Sequence, residues 1–126
     1  GHSIAQTLGG YFNIPHGAAC GYTLPWIMEF NAPGAPRLTK MCGEAMGLKF
    51  ADDATPEQIG TQVREFLVDF VYNQCKMPAL KDSYSYDVAK FDEIADVSSK
   101  EFFQTFNPRK MEPADCLDII KKMYDM

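Results

Sequence analysis

The sequence predicts an all-α domain, a multi-helix bundle, on three observations. Apolar residues recur at three- and four-residue spacing in several stretches, no strand-like alternation is long enough to compete, and prolines and capping-box patterns stand where helices would begin and end. At 126 residues the chain is one domain on a prior of roughly 100 to 200 residues each. Its 46% apolar and 23% charged residues sit near the globular average, which excludes disorder and collagen-like order.

The first helix is expected from His2 to Leu8, with Gly9 and Gly10 ending it and Pro15 opening the next, so that His16 falls in that helix's first turn. From Ala18 to Phe30 the residues Tyr22, Leu24, Trp26, Ile27, Met28 and Phe30 leave almost no polar face, the pattern of a helix at the centre of a bundle, with Pro25 bending it. A third helix starts at Pro36, puts Leu38, Met41, Cys42, Ala45 and Met46 on one face and stops at Gly47.

Thr55, Pro56 and Gln58 form a capping box ahead of Ile59, Val63, Phe66, Leu67, Phe70, Val71 and Cys75, one stripe on a helix of about five turns closed by Pro78. Lys81 to Asp87, with Tyr84 and Tyr86, reads as loop. Ser98 and Glu101 form a second capping-box pattern before Phe102, Phe103 and Phe106, a short helix ending at Asn107 because Pro108 follows. The last helix begins at Pro113 and docks through Leu117, Ile119, Ile120, Met123 and Tyr124. The total is six or seven helices without a linker. The opening residues already lie inside a periodic apolar segment, so a piece of a longer polypeptide is expected.

Twelve basic against seventeen acidic residues give a net charge of −5, with no Lys/Arg cluster to neutralise a run of phosphates, which argues against nucleic acid as a partner. No stretch approaches the roughly 20 apolar residues of a membrane span, and no signal-peptide pattern opens the chain. Cys20, Cys42, Cys75 and Cys116 are 22, 33 and 41 residues apart, unlike a zinc knuckle or a redox pair. Three of them occupy apolar positions of helical patterns and are expected as buried free thiols. A cytoplasmic location follows as the expectation.

The two histidines, His2 and His16, are the only imidazoles and lie fourteen positions apart. They meet only if the chain reverses between them, which the glycines and an extended return permit. The positive end of a helix dipole at His16 favours the neutral ring that a metal requires. Spacing alone leaves open that His2 is a frayed terminal residue and His16 a capping or core histidine. Two imidazoles also leave a metal shell short of at least one ligand.

The run His2-Ser-Ile-Ala-Gln-Thr-Leu-Gly-Gly-Tyr-Phe-Asn-Ile-Pro-His16-Gly17 resembles the C-terminal signature of the iron-containing (group III) alcohol dehydrogenases. Leu24-Pro25, Met28-Glu29-Phe30-Asn31, Met46-Gly47 and Asn107-Pro108-Arg109 extend the likeness over essentially the whole chain. The resemblance implies the all-helical C-terminal domain of the fold shared with dehydroquinate synthase. Residues 1–126 would then be a single helical metal-binding domain, its N-terminal nucleotide-binding domain absent. It implies His2 and His16 as two ligands of Fe²⁺, or in some members Zn²⁺, with an Asp and a further His from preceding sequence. NAD(P) would be the hydride carrier and a small alcohol or aldehyde the substrate.

Two positions depart from the family pattern. Many members carry a histidine four residues after the first ligand, where this chain has Gln6, a substrate-adjacent position at which an amide can hydrogen-bond but cannot shuttle a proton. Cys20 stands where asparagine is common and reads as a small buried apolar residue. Arg109 reads as a structural hydrogen-bond donor. The isolated chain is expected to be inactive. Loss of the partner domain would bare an apolar face around His2 and Trp26, with homo-oligomer formation a consequence. Two rival readings remain: a non-catalytic helical interaction module, and a zinc-dependent glycerol dehydrogenase-like domain.

Overall fold

A computed structural model describes residues 1–126 and contains only helices and their connections. Seven α-helices follow in order: α1 His2–Phe12, α2 His16–Asn31, α3 Pro36–Ala45, α4 Pro56–Val68, α5 Leu80–Ser83, α6 Phe91–Lys100 and α7 Pro113–Tyr124. A π-helical turn, Asp69–Gln74, prolongs α4, and 3₁₀ turns at Val88–Lys90 and Phe102–Phe106 flank α6.

The apolar helix α2 sits at the centre, packed against α1, α4 and α7, while α6 closes the bundle on α1 and α7. The α1 helix has no side-chain cap, so its position rests on burial: Ile4, Ala5 and Leu8 are fully enclosed. Burying each large one contributes about 1.5–3 kcal/mol, against about 1 kcal/mol for a capping hydrogen bond. Packing therefore places His2. In α2, Tyr22 is buried and its hydroxyl donates to the Pro78 carbonyl at 2.8 Å, tying the helix centre to the segment after α4. Pro25 lies buried inside α2, which continues past it.

The α4 capping box forms as the sequence predicts: Gln58 N–H donates to Thr55 Oγ1 at 3.3 Å and Thr55 N–H to Gln58 Oε1 at 2.9 Å. Ile59, Val63, Leu67 and Val71 of the expected stripe are buried, but Phe70 and Cys75 are exposed, because the π turn rotates the stripe away from the core. Gly47 ends the α3 region at φ 92°, in the left-handed region glycine favours.

Several expectations fail for identifiable reasons. The apolar face assigned to α3 points outward, with Leu38 61% and Met41 50% exposed; Thr39 and Gly43 are buried instead. Thr39 can be, because its hydroxyl donates to the Ala35 carbonyl, and Gly43 because Phe50 and Val63 occupy the space a side chain would need. The Ser98 side chain caps nothing: it is buried within α6, a helix the sequence reading did not assign although its inner face of Phe91, Ile94, Ala95 and Ser98 falls at helical spacing. The Phe102–Phe106 segment is a 3₁₀ turn rather than an α-helix, ending at Asn107 as expected.

The stretch taken as loop starts with the single turn α5, and Tyr84 and Tyr86 pack on the core, Tyr86 against Phe12 at 4.7 Å between ring centroids. Of the cysteines only Cys116 is buried; Cys20 is half-buried, and Cys42 and Cys75 are exposed. Trp26 is buried, with the Arg64 guanidinium 5.6 Å from its ring centroid, so it takes no part in a bare face.

Candidate metal centre

The reversal between α1 and α2 is tighter than the sequence suggests. Gly9 and Gly10 remain helical, α1 runs on to Phe12, and Asn13 makes the turn at φ 54°, ψ 33°, a left-handed conformation that a short polar side chain tolerates. Ile14 is buried and anchors the crossing. Pro15, at φ −54° and ψ 135°, is the N-cap of α2 rather than its first residue, and His16 opens the helix.

Through that turn the rings of His2 and His16 come to 5.3 Å between centroids, inclined at 49°. Both are exposed. His2 begins α1 and His16 begins α2, so each ring stands at a helix N-terminus. The Phe103 ring lies 5.8 Å from His2.

Cys20 joins them, and sequence reasoning assigned it no such place. One turn after His16 on the same face of α2, it puts Sγ 3.5 Å from His16 Nε2. One donor atom from each of His2, His16 and Cys20 falls within 4.8 Å of the other two. Burial pushes the Cys20 thiol up from its ordinary range. The signal was there: a His and a Cys four apart on a helix share a face.

The donor set fits a divalent ion. Ligand bonds of about 2.0–2.1 Å to nitrogen and about 2.3 Å to sulfur at a tetrahedral angle put N and S about 3.5 Å apart, which is the separation found between His16 and Cys20. Gly1, Thr23, Leu24 and Ile27 line a small hollow beside His2 and Cys20.

Gln6 is outside this cluster. It lies one turn beyond His2, exposed, in a shallow depression with Thr7, Gly10, Tyr11, Val97 and Glu101. Across that depression Tyr11 donates to Glu93 at 2.6 Å, which raises the phenol's pKa. The bare apolar surface near His2 is the aromatic turn, with Phe102 68%, Phe103 39% and Phe106 72% exposed. Arg109 is structural: its guanidinium donates to the Phe30 carbonyl at 3.0 Å and lies 4.2 Å from that ring's centroid.

Comparison with known proteins shows the family and the fold. A model of the Fe-containing alcohol dehydrogenase family, C-terminal, matches residues 1–124. The 1-propanol dehydrogenase PduQ of Salmonella typhimurium is 26% identical over 129 residues, covering 97% of this chain and 34% of that protein. The NADPH-dependent butanol dehydrogenase of Clostridium saccharobutylicum is 24% identical over 127 residues, covering 98% of this chain and 32% of that enzyme. The chain thus spans about a third of the length of these relatives. The crystal structure of a 1,3-propanediol oxidoreductase superposes with a TM-score of 0.83 at 22% identity over 97% of this chain and 31% of that one, which establishes the helical fold.

Proposed function

Since this chain belongs to the Fe-containing alcohol dehydrogenase family, as its C-terminal part, we propose that it forms the helical domain of an NAD(P)-linked alcohol dehydrogenase and that His2 and His16 supply two ligands of its catalytic metal. The convergence of the two rings at 5.3 Å, brought about by a turn of three residues, is the observation that carries this reading.

When bound, a divalent ion supplies Lewis acidity toward an alcohol or aldehyde oxygen, and NAD(P) exchanges the hydride. The residues of this chain hold and shape that site. His2 and His16 present ring nitrogens from two helices that pack together through Ile4, Leu8 and Ala19 of the core. Gln6 is placed to hydrogen-bond a substrate or ribose hydroxyl but carries no proton near neutral pH. An acidic residue and a further histidine from preceding sequence would complete the shell, and docking of a nucleotide-binding domain would cover Phe102, Phe103 and Phe106 and exclude water from the cleft.

Binding of Fe²⁺ to the 126-residue chain under anaerobic calorimetry tests the ligand assignment. Affinity is expected to fall at least about tenfold in both His2→Gln and His16→Gln, since losing a ligand costs no less than the 10- to 100-fold that losing a ligand's supporting hydrogen bond costs. Unchanged affinity in both variants refutes it. Supplied with Fe²⁺, NAD⁺ or NADP⁺ and a short primary alcohol, the chain alone should form no reduced cofactor; a rate proportional to protein concentration would contradict the division of labour.

A further inference from the structure

We infer that Cys20 is a third metal ligand, so that this chain presents a His2–His16–Cys20 site of its own, suited to a thiolate-accepting divalent cation of the zinc and cobalt kind. The inference rests on the reading of His2 and His16 as ligands and adds a donor which that reading does not require.

Three independent features support it. The 3.5 Å between Sγ and His16 Nε2 is a tetrahedral edge, and the third donor, on another helix, lies within 4.8 Å of both. Cys20 is half-buried in α2 and lines, together with His2, the hollow bounded by Gly1, Thr23, Leu24 and Ile27. No carboxylate joins the group, so its chemistry is that of two borderline nitrogens and one soft sulfur. Three protein donors with one position open is the pattern of catalytic zinc sites, and a thiolate shifts preference away from ions that favour oxygen donors.

Without metal the same contact is a hydrogen bond between Cys20 Sγ and His16 Nε2. On metal entry the thiol proton leaves to solvent, the Sγ and Nε2 lone pairs turn to the ion, and the hydrogen bond is replaced by two coordinate bonds. An alternative occupant of this position, the asparagine common in the family, would offer only an amide.

Cobalt(II) is the probe, because thiolate ligation gives it a sulfur-to-metal charge-transfer band that imidazole ligation does not. The titration uses the 126-residue chain with a short N-terminal extension, so that the Gly1 α-amine is no rival donor, in a Cys42→Ser/Cys75→Ser background that removes the exposed thiols. The expected result is visible ligand-field absorption together with the charge-transfer band. Cys20→Ser and Cys20→Ala should both lose the band and bind at least about tenfold more weakly while keeping their helical circular dichroism. Ligand-field absorption that disappears in His16→Gln but never carries a charge-transfer band overturns the role of Cys20 and leaves the histidine pair standing. A band that survives in both Cys20 variants overturns it too. Cobalt binding indifferent to His2→Gln and His16→Gln overturns both readings.

Discussion

The side-chain amides of Asn31 and Asn107 hydrogen-bond each other in both directions, at 3.0 and 2.8 Å, across 76 positions of sequence. Asn31 ends α2 and Asn107 ends the aromatic 3₁₀ turn, so the pair fastens that turn to the central helix. Asn107 also donates to the Arg109 carbonyl, while the Arg109 guanidinium returns to the Phe30 carbonyl. Asn107→Ala removes the partner of Asn31 and leaves part-buried polar groups unpaired, which costs about 1–3 kcal/mol. Urea denaturation measures the loss. Cobalt affinity should change less, since none of these residues touches the histidines.

How much of this was legible in the sequence depends on the kind of signal. The α4 capping box, the Gly47 stop and the Pro113 start each rest on neighbouring residues, and local stereochemistry fixed them. The inner face of α3 was illegible because burial there follows small or polar residues, Thr39 and Gly43, whose fit depends on distant partners, whereas Phe91, Ile94 and Ala95 of α6 stood at helical spacing and were overlooked. The histidine pair was legible only through the signature in which it is embedded, and the turn that unites it was misread: the glycines looked like the stop, whereas Asn13 makes it. Cys20 was overlooked because its apolar neighbours offered a sufficient account of it.

Asn13 has a testable role of its own. An alanine in the left-handed conformation costs about 1–2 kcal/mol, and asparagine avoids much of that, so Asn13→Ala should lower stability while Asn13→Gly should not. Because the turn sets the spacing of the two rings, a β-branched residue in Asn13→Val should weaken cobalt binding as well. A valine variant with unchanged affinity would mean that the core, through Ile14, holds the rings in place without help from the turn.

Gly60 governs the contact between α2 and α4. A Cβ there would stand 2.8 Å from Ala32 Cβ, 3.1 Å from the Glu29 carbonyl oxygen and 3.3 Å from Glu29 Cα, two of them backbone atoms unable to swing aside. Overpacking costs about 1–3 kcal/mol, against at most about 1 kcal/mol regained from alanine's helix propensity, so Gly60→Ala should be neutral to destabilising. Forcing the helices apart would also strain the bonds from Arg64 Nε and the Thr61 hydroxyl to Glu29 Oε1, at 2.8 and 3.2 Å. The mutant's urea midpoint decides the matter, and a gain in stability would show that the two helices slide freely.

Alkaline pH should unfold the domain through groups that keep their protons only in the native state. Burial pushes the Cys116 thiol up from 9.0 to about 11 and the Tyr72 phenol up from 10.0 to about 12, and it raises Tyr86 further still. For a group whose native pKa is raised, the native chain binds more protons than the unfolded one across the interval between the two values. Its stabilising effect is complete below the ordinary pKa and disappears as pH climbs through the native one. Urea midpoints should therefore hold steady up to about pH 9 as far as these groups are concerned, then fall progressively toward pH 12. Tyr72→Phe removes one of the titrating groups together with a buried hydroxyl that has no protein partner, so it should flatten the upper part of that fall at little cost near neutrality. An unchanged alkaline slope in Tyr72→Phe would assign the loss to the other raised groups, Cys116 and Tyr86 foremost, and Cys116→Ala, compared at the same pH values, measures the thiol's share.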